Sequence, residues 1–430
     1  MNTIFSSAAS KAKELDNDDM LAHFRQRFYI PENVIYMDGN SLGLLSIDSE
    51  HSLLTTLDKW KKKAVGGWID QENPWFYFGE KYGNMIAPLV GANSDEVVMT
   101  GTTTSNIHTL VSSFYLPQGK RTKILADSLT FPSDLYALKG QIQLKGYSPQ
   151  NELILIESRD GYCIHEEDII ERMNDEVALI FLPSVLYRSG QLLNMELLTA
   201  EAHKHGILIG FDAAHSVGAV PHSFSQWGVD FAVWCSYKYL NGGPGSAAFI
   251  YVNRRHFSKT PYLAGWFGCD KNRQFDMLND FIPAETAGKW QMSSAGILGS
   301  STIEGSLNII LEAGIDNIRR KSLNLTSFLR DLIESELTIH PYNFSVVTPR
   351  NDNSRGGHIA ITHPTEAFRI NEALKARGII PDFRPPAMIR IAPVALYNTY
   401  SEVWQVVKAL KEIIDNCEYE NFSNDRLGVS

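Results

Sequence analysis

DFAVWCSYKYLNGGPGSAAFIYV, residues 230–252, contains two apolar, β-rich runs joined by a turn too short for a helical crossover, so the pair is predicted to be antiparallel. Similar runs recur upstream: EVVMT (96–100), KILA (123–126), ELILIE (152–157), VALIFL (177–182) and GILIGF (206–211). Gly, Pro or Asp residues bound them, and stretches long enough for helices separate them. Near-continuous apolar strands alternating with helices predict an α/β fold, with a mainly parallel seven-stranded sheet covered on both faces. Ligands of such sheets bind outside the carboxyl ends of the strands, which is where polar clusters are to be sought.

Beyond Gly305 the pattern changes. A long helical stretch (Leu307–Leu337) leads to FSVVTP and GGHIAIT, a helix over Pro364–Arg377, the strand-like MIRIAPV and a terminal helix Ser401–Asn416. This αββαβα run predicts a smaller α+β domain. The chain therefore divides into an N-terminal helical segment (1–60), a large domain (61–304) and a small C-terminal domain (305–430). The N-terminal segment reads as two helices around the irregular YMDGNSLGLL (36–45) and could pack on either domain.

Composition narrows the function classes. The 430 residues carry 39 Lys and Arg against 49 Asp and Glu, a net charge of −10, which argues against a nucleic-acid partner. The densest basic cluster, Lys59 with Lys61 to Lys63, reads as a solvated helix face. No apolar run is long enough to span a bilayer. The opening MNTIFSSAASKAKELDNDD lacks the apolar core of a signal peptide. Cys163, Cys235, Cys269 and Cys417 have no C-x-x-C spacing and read as reduced, mostly buried thiols rather than disulfides or metal ligands. A cytoplasmic protein is expected.

Each notable polar cluster follows a strand. Asp212-Ala-Ala-His215 follows GILIGF, where an Asp alone would read as a helix cap. Ser236-Tyr237-Lys238-Tyr239 follows DFAVWC, and a lysine directly after so apolar a run needs a reason. A desolvated lysine loses its proton more readily, which suits imine formation. Thr103 and Thr104 open a helical pattern after EVVMT, where backbone N–H groups hold phosphate well. Phe131-Pro-Ser133-Asp134 follows KILA and offers a flat ring beside another helix start. Each helix start taken alone reads as ordinary capping. Together they are the inventory for a pyridine ring bearing an aldehyde and a phosphate.

At this level of detail the sequence resembles the kynureninase family, pyridoxal 5'-phosphate enzymes of the aspartate-aminotransferase-like fold type I. The resemblance rests on YMDGNSLGL, TTTSNIHTL, FPSD, GFDAAHSVG, WGVDFAVWCSYKYLNGGPG, AGWFG and IRIAPVALYN, spanning residues 36 to 398. It implies that Lys238 carries the cofactor, that Asp212 pairs with the pyridinium nitrogen and that His215 lies beside the cofactor. Phe131 would stack on the ring. Thr103, Thr104, Ser133, Tyr237 and Trp266 would form the phosphate shell, with Asp134 adjacent. Tyr237 is also a candidate proton carrier. Arg390 would bind the substrate α-carboxylate, with Ser41 and Trp68 on the substrate side. Where animal members have a His and an Asn, this chain aligns Trp68 and Ser294, as bacterial members tend to (Trp and Thr). Ser294 is expected near the cofactor, with Ser293 the alternative match.

The implied reaction is hydrolysis of L-kynurenine, or 3-hydroxykynurenine, to the anthranilate and L-alanine by a homodimer with sites at the interface. That chemistry belongs to tryptophan catabolism and NAD biosynthesis. One rival is a cysteine desulfurase or selenocysteine lyase, which needs a mobile thiol; Cys417 is the small domain's one cysteine and reads as buried and structural. Another is a non-catalytic cofactor-binding regulator, for which no basic helix-turn-helix is visible.

Overall fold

A computed structural model describes residues 3–424. Seven strands form the central sheet: β1 (Val97–Met99), β2 (Lys123–Asp127), β3 (Leu153–Ile156), β4 (Val177–Pro183), β5 (Leu208–Asp212), β6 (Phe231–Trp234) and β7 (Phe249–Val252). Their order is β1-β7-β6-β5-β4-β2-β3. Only β7 runs against its neighbours, pairing antiparallel with β6 (Val233 opposite Ile250) and with β1 (Val98 opposite Ile250). The antiparallel pair expected from residues 230–252 is therefore present.

The unbroken apolar runs follow from burial on both faces. Ile124, Leu179, Phe181, Phe231 and Val233 enter one core, whereas Leu125, Ile180, Leu182, Ala232 and Trp234 enter another on the opposite face. A strand alternates its side chains with a period of two, so a doubly covered sheet needs apolar residues at every position. In the parallel stretch β6, β5, β4, β2 and β3 the carboxyl ends gather on one edge, with Asp212 closing β5 beside Pro183 of β4.

A four-stranded antiparallel sheet lies toward the C-terminus: β8 (Ser345–Val346), β9 (Ile359–Thr362), β10 (Asp382–Arg384) and β11 (Met388–Ile391), in the order β10-β11-β9-β8. The sequence reading lacked β10, because Pro381, Pro385 and Pro386 mask a three-residue strand. It also joined two helices. Gly314, at φ +77°, separates Thr302–Ala313 from Ile315–Glu336. Ile315–Glu336 and the terminal helix Tyr400–Asp415 share a core of Leu325, Leu329, Ile333, Val403 and Leu410 with β9 and β11.

The two N-terminal helices part company. Thr3–Asn17 packs on the terminal helix, and its Asp16 carboxylate accepts the Tyr400 and Ser401 amides at 2.6 and 3.0 Å. An anion at a helix N-terminus is favoured by the helix dipole. Ile47–Lys63 instead lies along Thr302–Ala313. Cys417, expected to be buried, is exposed just past the terminal helix. Among the described residues no helix is long and apolar enough to cross a membrane.

The close approach of Ile47–Lys63 to Thr302–Ala313 depends on Gly305, where a Cβ would sit 2.2 Å from the Asp48 carbonyl carbon. Gly305→Ala should therefore cost about 1–3 kcal/mol by overpacking and lower the thermal unfolding midpoint. Gly299→Ala, facing open space, serves as the control. Equal midpoints for the two variants would show that the helices yield freely.

Candidate active site

At the carboxyl edge of the large sheet, facing β10 and β11, lies a cavity of about 230 Å³. Thr103 and Thr104 enter it from the start of the helix Thr103–Phe114, directly after β1. Thr102 caps this helix, its side chain accepting from the Ser105 amide. The amides of Thr103 and Thr104 lie in the first turn, where no intrahelical acceptor exists. Ser133 and Asp134 enter from the start of a second helix, Pro132–Leu144, after β2. Two helix N-termini converging on one cavity favour an anion there.

Lys238, in the loop after β6, has its Nζ 2.8 Å from Nε2 of His215. Burial, and then the lysine charge beside it, push the imidazole of His215 well below its ordinary pKa, so it is neutral; its Nδ1 is buried with no partner. Asp212 accepts the Ala214 amide at 2.8 Å. Its carboxylate is also hydrogen-bonded to Asp134, and both acids are buried. Burial raises both pKa values, and the neighbouring Asp212 charge raises Asp134 further, while Lys238 counters the rise at Asp212. Asp134 therefore holds the proton the pair shares. Tyr237 lines the cavity with a phenol pushed up chiefly by burial. The Phe131 ring meets Tyr187 edge-on, centroids 5.2 Å apart.

Opposite the lysine, Arg390 is 1% exposed. Its Nε donates to Asp382 Oδ2 at 2.6 Å, its Nη1 to the Tyr187 carbonyl at 2.7 Å and its Nη2 to Ser41 Oγ at 3.0 Å. Nη2 also reaches Asp382. Asp382 faces Arg390 across the β10–β11 ladder and also pairs with Arg384, which lines the cavity.

The cavity thus gathers Ser41, Thr103, Thr104, Phe131, Ser133, Asp134, Asp212, His215, Tyr237, Lys238 and Arg390. Within one chain it does not include Trp68, Trp266 or Ser294. Those three line a separate, wider and largely apolar surface cavity of about 970 Å³, together with Phe76, Phe267 and Phe275. Sequence reasoning missed Asn40, Tyr187 and Arg384 on the cavity wall and Asp382 behind it. Tyr187 was within reach of the strand-end rule, four residues beyond β4. Asp382 and Arg384 were hidden with β10.

Comparison with known proteins bears directly on this arrangement. A model of the kynureninase C-terminal domain matches residues 318–410. A kynureninase of Geobacillus thermodenitrificans is 56% identical over 415 residues, covering 96% of each chain. Another, of Bacillus mycoides, is 53% identical over 422 residues and 98% of each chain. The chain belongs to the kynureninase family. Among solved structures, a cysteine desulfurase from Thermococcus onnurineus superposes with a TM-score of 0.75 at 17% identity, over 92% of this chain and 98% of that one. A cystine C–S lyase bound to cysteine persulfide gives 0.76 at 14% identity, over 89% and 98%. These two likenesses show the fold alone. The desulfurase reading finds no thiol where it needs one, since none of the four cysteines lines the lysine cavity of this kynureninase-family chain.

The site also passes a chemical test for pyridoxal 5'-phosphate. The buried Asp212 carboxylate, with Asp134 hydrogen-bonded behind it, is a counter-charge suited to a protonated ring nitrogen. Hydroxyls and first-turn amides stand where a phosphate needs donors, and Lys238 is placed to meet an aldehyde.

Asp382 is 4% exposed, so replacing it strands the Arg390 cation in a dry site. Asp382→Ala should cost about 3–5 kcal/mol and lower the midpoint of thermal unfolding markedly. A variant that melts with the parent would show that Arg390 finds its counter-charge elsewhere.

Proposed function

We propose that this chain hydrolyses the Cβ–Cγ bond of L-kynurenine, giving anthranilate and L-alanine, with pyridoxal 5'-phosphate bound in the Lys238 cavity. The observation that carries the residue-level reading is the convergence of Lys238, the Asp212–Asp134 pair and Arg390 on one cavity. When bound, the cofactor supplies an aldehyde that links to amines and a protonated ring that accepts electrons. Lys238 holds it and, once released, moves the proton at the substrate Cα. Asp212 keeps the ring nitrogen protonated, with Asp134 behind it. Thr103, Thr104, Ser133 and Tyr237 hold the phosphate, and Phe131 covers the ring. His215, being neutral, orients without adding charge. Arg390, pinned by Asp382, would meet the α-carboxylate with its one uncommitted Nη1 N–H and the Nη2 N–H that otherwise donates to Ser41. Tyr237, kept protonated by burial, is also a candidate proton carrier.

The working form we infer is a cytoplasmic homodimer, with a large domain (61–304) and a small domain (305–430). Trp68, Trp266 and Ser294 line an open apolar cavity apart from Lys238, which supports their serving a partner subunit's site. All four cysteines are free, as suits a reducing compartment.

Purified yellow protein should convert L-kynurenine to fluorescent anthranilate, and borohydride reduction followed by peptide mapping should place the pyridoxyl group on Lys238. A label on another lysine would end the assignment.

The enzyme should also prefer kynurenine to 3-hydroxykynurenine. Trp68 lies between the rings of Trp75 and Phe267, centroids 5.9 and 6.1 Å away, and so offers an aryl ring an apolar wall. Burying a ring hydroxyl there without a partner costs about 1–3 kcal/mol, or roughly 5- to 150-fold in kcat/KM. Equal kcat/KM values for the two substrates would sink the idea.

A further inference from the structure

Asn40 lies on the cavity wall beside Ser41, is 0% exposed, and has no hydrogen-bond partner for either Nδ2 or Oδ1. Its position is tightly set. A Cβ on Gly39 would meet the Tyr397 hydroxyl at 2.4 Å, and one on Gly43 would meet the Lys238 carbonyl oxygen at 2.4 Å. The amide of Ser41 donates to the Asp38 carbonyl at 2.9 Å, and that of Gly43 to the Tyr237 carbonyl at 2.7 Å. The turn carrying Asn40 is thus wedged between the Lys238 loop and residues 394–397. A buried amide with neither half satisfied is costly unless something else completes it.

Other buried polar residues on the wall keep at least one contact, although His215 Nδ1 and Arg384 Nε lack a hydrogen bond. Arg390 bonds Asp382, Tyr187 and Ser41; Arg384 pairs with Asp382 at 3.0 Å; His215 bonds Lys238. On the reading above, Arg390 takes the substrate carboxylate and the Lys238 region takes its amine. What remains of the substrate is an aryl ketone with an amino group ortho to it. That fragment presents a C=O acceptor and an N–H donor side by side. A primary carboxamide presents the complementary pair.

We infer that Asn40 is a specificity-determining residue that reads the ortho-amino ketone of the substrate, Nδ2 donating to the ketone oxygen and Oδ1 accepting from the aryl amine. This rests on the reaction proposed above and assigns a contact within it. A site built to bond an N–H discriminates against an analogue lacking it more strongly than an apolar pocket does.

The test compares L-kynurenine with β-benzoyl-L-alanine, the same ketone without the aryl amine, by alanine release from holoenzyme. The wild type should favour kynurenine at least tenfold in kcat/KM. Asn40→Ala should slow both substrates and narrow that preference about tenfold. Asn40→Asp keeps an acceptor for the amine but loses the donor to the ketone, so it should slow both substrates while keeping the preference. Cofactor absorbance of each variant checks that the site is loaded. A wild-type preference unchanged in Asn40→Ala would overturn the assignment, as would a wild type indifferent to the aryl amine, which needs no variant to fold. Release of alanine from neither substrate by the wild type would instead remove the underlying reaction.

Discussion

The amide of Gly43 donates to the carbonyl of Tyr237 at 2.7 Å, and the absence of a side chain on Gly43 lets the two backbones come that close. On one side of this contact is the loop that carries Lys238, fixed by β6 at the carboxyl edge of the large sheet. On the other is the turn of residues 38–43. That turn is tied in the opposite direction as well. Met37 accepts the Ala392 amide at 2.8 Å, and the Tyr36 carbonyl accepts Asn398 Nδ2 at 3.0 Å. Both partners follow β11, which carries Arg390. A single short segment therefore sets the spacing between the lysine and the arginine. Loosening it would misplace both at once, and geometry lost at this scale is costly in rate.

Within that frame, charge is managed by pairing rather than by solvent. Asp212 is countered by Lys238 and shares a proton with Asp134. Arg390 is countered by Asp382, which Arg384 shares. Asp38, close to Asp382 and Arg390, has its carboxyl raised to about 6, chiefly by burial and then by Asp382. Such groups contribute little to stability as a set, because desolvation offsets their attraction. Their value is positional. An arginine whose Nε edge is already bonded has one orientation left to offer, which is preorganisation of the kind that lets binding energy go toward the reaction.

How much of this was legible in the sequence follows from which signals are local. The seven strands were readable because double burial makes β2, β4, β5 and β6 apolar at nearly every position. Asp212 and Lys238 could be singled out because one closes an apolar strand and the other lies four residues beyond one. The β10 strand was not, since prolines on both sides suppress the usual strand signal, and Asp382 was lost with it. Gly314 inside an apolar periodic stretch gives no sign of whether it interrupts a helix until its φ is known. Asn40 sits inside YMDGNSLGL, where nothing local marks it off from its neighbours. Burial without a partner is a property of three dimensions, and an asparagine in an irregular loop has no periodicity to betray it.

The likeness to desulfurases and a C–S lyase shows what the fold does and does not decide. The sheet's carboxyl edge, two helix starts and a lysine loop suffice to hold a phosphorylated pyridine ring, and that scaffold is indifferent to which bond is cut. Selectivity has to come from the residues placed around the substrate. Here no thiol faces the cavity, so a sulfur acceptor is missing. The wall carries instead a buried arginine and an amide with both halves unused. The aromatic cavity lined by Trp68 and Trp266 lies apart from it on the same chain. An aryl ring needs apolar contact, and the Lys238 cavity, at about 230 Å³, is small and rich in polar groups. The Trp68 cavity carries an apolar surface of the kind that the Lys238 cavity lacks.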